Sequence, residues 1–400
     1  MKAIVVGAGF AGLAAADALH GAGIEVEVFE ARDRVGGRVW SVPFEGGVVE
    51  RGAEFILPHD KTVVATADRL GLRLVRKGTR YGNREPRGGR HVTRSRVTAA
   101  LRRIGSEPPA AGDGTLGGAL DTYGLEPGVA EAIRARIEVS CAHPAGDLDA
   151  GALSEGAASF GDFDTFTVEG GNDRIARELA ASVGGRVHLS SPVSSVAWPS
   201  EREVRVCAGA RELIADAAVI AVPASVLDAI GFDPPLPAGK AAVRYGQAAK
   251  LFVGLRTPAP PSEVLSVPER YWCYTQLGPD GAPVPFVAAF AGSPDALEAL
   301  AVRDGPGRWI ESLMRLRPDL DLDLEDGDVL LSTWADDPWV RGAYSARSVT
   351  SPLDNEALAR PVGPLFFAGE HTAGAWHGLM EGALRSGARA AQQLVQTAPR

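Results

Sequence analysis

Residues 2–6, Lys-Ala-Ile-Val-Val, form an apolar run of strand length. The run ends at Gly7-Ala8-Gly9-Phe10-Ala11-Gly12, and Ala and Leu then recur at helical spacing to about Ala22. Gly23 predicts the helix stop. Glu25-Val26-Glu27-Val28-Phe29 alternates with a period of two, as a half-buried strand does. A hairpin follows over Val39–Val42 and Gly47–Glu50, then a helix over Thr62–Leu70 that stops at Gly71. The next forty residues lose this periodicity. Arg80 to Arg90 is rich in turn formers and arginine and reads as a solvated loop, and Pro108–Gly118 reads as a Gly/Pro/Ala linker. Pro127–Ser140 predicts a helix with proline in its first turn, part of a small helical insertion.

Strand and helix alternation returns near Phe166. Gly170-Gly171-Asn172 precedes a helix over Asp173–Val183, and strands follow at Arg186–Ser190, Pro192–Trp198, Glu203–Ala208 and Ala217–Val222. A second block carries strands at Gln247–Leu255, Arg270–Tyr274 and Phe286–Ala291, helices at Pro294–Ala301 and Gly307–Leu316, and a strand at Asp328–Thr333. A buried strand from Leu365 leads to a helix that starts near Leu379–Met380 and runs to about Leu394. On it Ala383, Gly387, Ala388 and Ala391 form a small-residue face suited to close helix packing. The alternation predicts an α/β fold.

The first unit carries chemistry. Gly7 permits a tight turn, Gly9 lets backbone approach a pyrophosphate, and Gly12 lets helix and strand pack closely. The helix N-terminus adds unpaired N–H groups and partial positive charge. Glu30, at the end of the second strand, is placed to accept from an adenosine ribose hydroxyl. With strand, glycines, helix, stop and acid all at the required spacing, the unit predicts a dinucleotide site. Arg34 and Arg38 add cationic forks for phosphate oxygens.

Composition narrows the class. Of 400 residues, 45% are hydrophobic and 23% charged, which suits a globular chain of two or more domains. A net charge of −9 argues against nucleic acid. The three cysteines, Cys141, Cys207 and Cys273, are scattered and suggest neither a disulfide framework nor a metal site. A reducing, cytoplasmic setting fits. No segment reaches the roughly 18 apolar residues a membrane helix needs, so no membrane partner is expected, and no metal. Only five of the 41 basic residues are lysine, Lys250 among them.

The run Glu30-Ala31-Arg32-Asp33-Arg34-Val35-Gly36-Gly37-Arg38 resembles the Glu-Ala-x-x-Arg-x-Gly-Gly-Arg signature of FAD enzymes in the flavin amine oxidase group. That group holds monoamine, polyamine and L-amino-acid oxidases, with protoporphyrinogen oxidases and carotene desaturases more distant. The C-terminal run Ala368-Gly369-Glu370-His371-Thr372, continued by Gly378-Leu379-Met380-Glu381-Gly382-Ala383, resembles the group's second flavin motif. The resemblance implies an amine oxidase fold: a discontinuous, Rossmann-like FAD domain (residues 1–57, 166–236 and 341–400) and a mixed-sheet and helical substrate domain (58–165 and 237–340).

It also implies roles. Gly7, Gly9, Phe10, Ala11, Gly12, Glu30, Ala31, Arg32 and Arg38 would hold the nucleotide and phosphates. Gly52, Ala53, Glu54 and Phe55 would pass beside the flavin, Val193 would meet the adenine, Gly369 and Glu370 the ribityl or pyrophosphate end, and Leu379 and Met380 the flavin O2 edge. Lys250 falls on the lysine that assists reoxidation by O2. Tyr344 falls on the first aromatic of the cage that orients a neutral amine, while the second falls on Leu379, so Trp376 or Phe55 would have to substitute. Ala343 stands where monoamine oxidases carry the flavin-linked cysteine, which implies non-covalent FAD. Leu57 replaces the acid or histidine common in polyamine oxidases.

The expected reaction is oxidation of a bulky, apolar amine to an imine and then a carbonyl, with O2 reduced to H2O2. An L-amino-acid oxidase is the alternative, with Arg80, Arg84 or Arg87 as carboxylate clamp. A C–C desaturase or protoporphyrinogen-type enzyme, or a flavoprotein with a purely structural FAD, stands behind it. The sequence leaves the oligomeric state open, with a homodimer as the one candidate.

Overall fold

The computed structural model describes residues 1–107, 114–153, 163–325 and 329–397. The chain opens with β1 (Lys2–Val6), α1 (Phe10–Gly21) and β2 (Glu25–Phe29), then the hairpin β3 (Ser41–Phe44) and β4 (Gly47–Glu50). Next come α2 (Lys61–Arg69), β5 (Leu74–Arg80), β6 (Glu85–Arg87) and three helices, α3 (Arg94–Ser106), α4 (Leu116–Thr122) and α5 (Pro127–Cys141). β7 (Asp164–Val168), α6 (Asp173–Ser182) and β8 (Val187–His188) lead to β9 (Val193–Ser200), β10 (Glu203–Ala208), β11 (Arg211–Ala215), β12 (Ala217–Ile220) and β13 (Gly231–Asp233). The second block holds β14 (Ala248–Leu255), β15 (Ser262–Ser266), β16 (Tyr271–Thr275), β17 (Phe286–Gly292), α7 (Pro294–Ala299), α8 (Gly307–Leu316), β18 (Leu322–Asp323) and β19 (Val329–Thr333). The chain returns through α9 (Asn355–Ala359) and β20 (Leu365–Phe367) to α10 (Met380–Thr397).

Five parallel strands in the order β20-β12-β1-β2-β8 form the first sheet. A parallel strand covered on both faces reads as a continuous apolar run, which is why residues 3–6 are all buried. One face packs on α1, α6 and α10 through Val5, Val28, Leu13, Ile175 and Leu384. The other, through Ile4, Val6 and Phe29, meets the four-stranded sheet β11-β10-β9-β13.

The second large sheet is mixed, in the order β18-β14-β17-β16-β15-β6 with β19 beside β14. Its core strand β14 is buried at all eight positions, Lys250 included. Helices α3, α4 and α5 cover one face around Phe252, Trp272 and Phe286. Trp309 and Leu313 of α8 cover the other.

The stretch after Gly71 departs from expectation. Leu74–Arg80 is a strand whose inward residues are Val75, Lys77 and Thr79. Arg84 is 4% exposed, not solvated. Val97, Leu101 and Ile104, at helical spacing, build α3 where no helix was expected. Most of the Pro108–Gly118 linker lies outside the described residues, and its end, Leu116–Gly118, belongs to α4. On α10, Ala388 is exposed; Ala390, with Gly387 and Ala391, completes the packed face.

Candidate active site

The β1–α1 turn is shaped by its glycines. A Cβ on Gly12 would sit 1.9 Å from the Gly7 carbonyl oxygen, so strand end and helix approach as only glycine allows. A Cβ on Gly9 would meet nothing within 4 Å, which leaves bare backbone facing the cavity. Glu30 Oε2 accepts from the Ala8 N–H at 2.7 Å and Oε1 from the Arg32 N–H at 2.9 Å. Burial raises its carboxyl, and these two amides act against the rise. The acid is thereby fixed at the strand end with further lone pairs for a ribose hydroxyl.

The arginines divide. Arg38 donates to the Ala343 carbonyl at 2.9 Å and to Glu370 Oε1 at 2.8 Å. Arg32 pairs with Asp337 at 2.6 Å and also lines the cavity. Arg34, expected at phosphate, is instead spent on its own loop: it donates to the Gly37 carbonyl and lies 4.3 Å over Trp40. Burial is the main reason for the fall in its pKa to about 10.

One cavity of about 610 Å³ runs from this turn to the mixed sheet. At the nucleotide end it is lined by Gly7, Gly9, Phe10, Ala11, Glu30, Ala31, Arg32, Arg38 and Val193. Gly52, Ala53, Glu54, Lys250, Tyr344, Gly369, Glu370, Trp376, Leu379 and Met380 line its other reaches. Of the residues expected to hold the nucleotide and flavin, Gly12, beneath the turn, and Arg34 lie off the lining. A Cβ on Gly52 would fall 1.8 Å from the Arg38 carbonyl oxygen, so this segment too is pressed against the Arg38 loop. Bare backbone at a helix N-terminus, a fixed ribose acid and an extended trough suit a dinucleotide.

Glu370 organises the middle of the cavity. Its carboxylate takes Arg38, the Ser345 hydroxyl and the Gly378 N–H, the last at 2.7 Å. Burial alone would raise this group, but Arg38 and the other donors outweigh it and hold the carboxyl at about 2. Next to it His371 is pushed down to about 4 by burial, so it is neutral near pH 7.

Lys250 does not snorkel to water. Its Nζ donates to Glu54 Oε2 at 2.5 Å and to the Glu50 carbonyl at 2.9 Å. Glu54 also takes Lys77 Nζ at 2.8 Å and the Tyr274 hydroxyl at 2.5 Å. Burial would raise the Glu54 carboxyl; Lys250 and Lys77 reverse this and hold it at about 2. Sequence reasoning missed Lys77 and Tyr274. The signal for Lys77 was the alternation Val75-Lys77-Thr79 inside a stretch read as cationic and irregular.

The remaining wall is aromatic. Phe55, Tyr81, Trp272 and Tyr274 contact one another, with Trp272 and Tyr274 centroids 4.5 Å apart. Tyr344 is anchored by its hydroxyl on the Ser140 carbonyl at 2.7 Å. Trp376 stands between Arg385, 4.5 Å from its ring, and His59. Among the three candidate clamp arginines only Arg84 lines the cavity. It lies 4.0 Å over Trp272, donates to Ser140 Oγ at 3.1 Å, and has a buried Nε without a partner. Behind it Arg136, also buried, is lowered to about 9 by burial and by Arg84. Arg80 pairs with Asp164, and Arg87 meets the Leu316 carbonyl and Asp319, both away from the cavity.

A dinucleotide trough opening onto a buried lysine and an aromatic wall defines a flavin-dependent oxidoreductase. The chain belongs to the flavin-containing amine oxidoreductase family, whose model matches residues 10–121 and 129–395. It is an amine oxidase type of enzyme with FAD as cofactor. It is 27% identical to a putrescine oxidase of Kocuria rosea over 98% of this chain and 94% of that one. It is 29% identical to polyamine oxidase 1 of Oryza sativa subsp. japonica, over 99% and 97%. A solved putrescine oxidase bound to putrescine superposes with a TM-score of 0.85 at 23% identity, covering 99% of both chains, so the fold is shared. No helix among the described residues is long and apolar enough to cross a membrane.

Proposed function

We propose that this enzyme oxidises a bulky, largely apolar amine to an imine, which water converts to a carbonyl compound and ammonia or a smaller amine, while O2 becomes H2O2. The observation that carries this reading is the wall of Phe55, Tyr81, Trp272, Tyr274, Tyr344 and Trp376 around the Lys250 end of the cavity. Residues 1–57, 166–236 and 341–400 would carry FAD, and 58–165 and 237–340 the substrate. FAD supplies the two-electron acceptor that takes hydrogen from the substrate's C–N unit and passes the electrons on.

The residues set which form of the amine enters. An amine must be neutral to be oxidised, and Lys250 and Arg84 disfavour an ammonium ion beside them. Tyr344, held by Ser140, offers a fixed ring face against the apolar body. The carboxylates on the lining are Glu30, Glu54, Asp60 and Glu370. Glu54 and Glu370 are neutralised by lysines and by Arg38. Glu30 lies at the nucleotide end, which leaves Asp60, accepting from the Leu57 N–H, as the acid open to a distal ammonium. Burial raises the Asp60 carboxyl and so disfavours its charged form, which makes it a poor partner for that ammonium and favours a monoamine over the diamine named for the Kocuria relative.

A second reading, an L-amino acid, is favoured by Arg84, a buried cation on the cavity wall with no carboxylate partner among the described residues. Anaerobic bleaching of the flavin by aryl-alkyl amines, diamines and L-amino acids separates the readings. Bleaching by aryl-alkyl amines, kept within a few fold in Arg84→Ala, is expected. Bleaching by amino acids alone, collapsing in Arg84→Ala by the roughly 2–5 kcal/mol of an orphaned buried charge, would overturn the first reading for the second. Bleaching by diamines alone would place the distal ammonium on Asp60.

A further inference from the structure

Lys77, Glu54, Lys250 and Tyr274 form a closed buried cluster, with exposures of 3%, 5%, 6% and 1%. Lys250 and Tyr274 share Glu54 Oε2, and Lys77 takes Oε1. A single lysine would suffice to neutralise the carboxylate. Burying a second is costly unless the surplus charge is used. The four come from separate elements: Lys77 from β5, Glu54 from the loop after β4, Lys250 from β14 and Tyr274 from β16. Lys250, Glu54 and Tyr274 line the cavity, whereas Lys77 does not. Lys77 sits behind the carboxylate, where it cannot touch substrate or cofactor.

We propose that Lys77 is a positioning residue that cancels the charge of Glu54, so that Lys250 presents a net positive charge to the reacting end of FAD while Glu54 and Tyr274 fix where its ammonium sits. The inference rests on the amine oxidase reading above. Without Lys77, Glu54 and Lys250 would make a neutral pair. With it, the cluster keeps one positive charge where reduction of FAD places negative charge, and a preorganised cation at such a point stabilises the charged state. Glu50 is a further carboxyl against the cluster. It accepts from Ser41 Oγ and the Asn172 N–H, and burial, helped by Glu54 and opposed by Lys77, raises it to about 7, so near pH 6 it is mostly neutral. Arg84 adds a further cation on the side of Tyr274.

The test is the midpoint potential of bound FAD at pH 6, followed by absorbance, with reoxidation of dithionite-reduced protein by O2 as a second readout. Neither needs an amine, so failure of the substrate reading leaves both intact. Lys77→Met and Lys77→Gln should retain FAD, shift its reduction equilibrium about tenfold toward the oxidised form, roughly 30 mV for two electrons, and slow reoxidation about tenfold. Lys77→Arg should restore both. The double variant Lys77→Met with Glu54→Gln returns the cluster to one positive charge and should recover the potential lost in Lys77→Met. If Lys77→Met loses FAD, Lys77→Gln, which keeps a donor for Glu54, carries the comparison. A wild-type potential in the single variants, or a double variant lower than Lys77→Met, would show that Lys77 only packs and would overturn the proposal.

Discussion

Glu370 is the residue on which the cavity's electrostatics turn, and it makes the protein acid-sensitive in a defined window. Its carboxyl moves from 4.5 in the unfolded chain to about 2 in the folded one, because Arg38 and the other donors outweigh the cost of burial. A carboxyl lowered by folding stabilises the protein fully above the unfolded value, and that contribution drains away as pH falls from about 4.5 toward 2. The shift corresponds to on the order of 3 kcal/mol. His371 acts in the same direction higher up: burial lowers it from 6.5 to about 4, so stability is lost as pH falls across that interval. Denaturant unfolding of the holoenzyme between pH 6 and 2.5 should show a steep decline. Glu370→Gln, though less stable throughout because Arg38 loses its partner, should have a visibly flatter slope below pH 4.5. An unaltered slope would mean that another carboxylate controls the acid limb. The sequence made Glu370 legible as a site residue, through the motif around it, but its partners were not. Ser345 and Arg38 lie 25 and 332 positions away, and no local pattern ties them together.

At the scale of elements, legibility followed periodicity. β1, α1 and β2 were readable because β1, covered on both faces, is a near-continuous apolar run, a stop glycine ends the helix, and β2 alternates with a period of two. β5 was not. Its inward side carries Lys77 and Thr79 because it faces Glu54 and Thr165 rather than an apolar core, so the usual sign of a strand was inverted. The small-residue face of α10 was readable except for its register. A Cβ on Gly387 would sit 2.1 Å from the Ala11 carbonyl oxygen, so α1 and α10 touch backbone to backbone. Gly387→Ala gains up to about 1 kcal/mol of helix propensity, but the obstacle is main chain that cannot swing aside. Overpacking of this kind typically costs about 1–3 kcal/mol. A lowered thermal midpoint and weakened FAD retention are expected, since the N-termini of both helices reach the cavity through Phe10 and Met380. Gly105→Ala in α3 is the control: nothing lies within 4 Å of its added Cβ, and the midpoint should stay level or rise. A destabilised Gly105→Ala with an unaffected Gly387→Ala would contradict this account of the helix contact.

At the scale of the whole molecule, the cavity is shared between the two large sheets. Glu30 and Arg38 come from the parallel-sheet side, Lys250 and Trp272 from the mixed sheet, and Ala343, Tyr344 and Glu370 from the returning chain. A cofactor lying along it touches both cores at once, and its binding energy becomes folding energy by mass action. The size of that term depends on whether FAD can leave. Ala343, whose carbonyl receives Arg38, carries no sulfur for a bond to the flavin. Cys141 also lines the cavity, so the alanine alone does not decide the matter. The Tyr344 hydroxyl on the Ser140 carbonyl binds the backbone beside Cys141 in place. FAD is therefore expected to be held by contacts alone. Acid precipitation of the yellow protein should leave flavin in the supernatant. Stripped protein should regain thermal stability as FAD is added, by about 2.7 kcal/mol at a hundredfold excess over Kd and about 4.1 at a thousandfold. Flavin that stays with the pellet, and a midpoint that does not respond to added FAD, would instead point to Cys141 as a covalent anchor. Cys141→Ser would then be the variant that releases it.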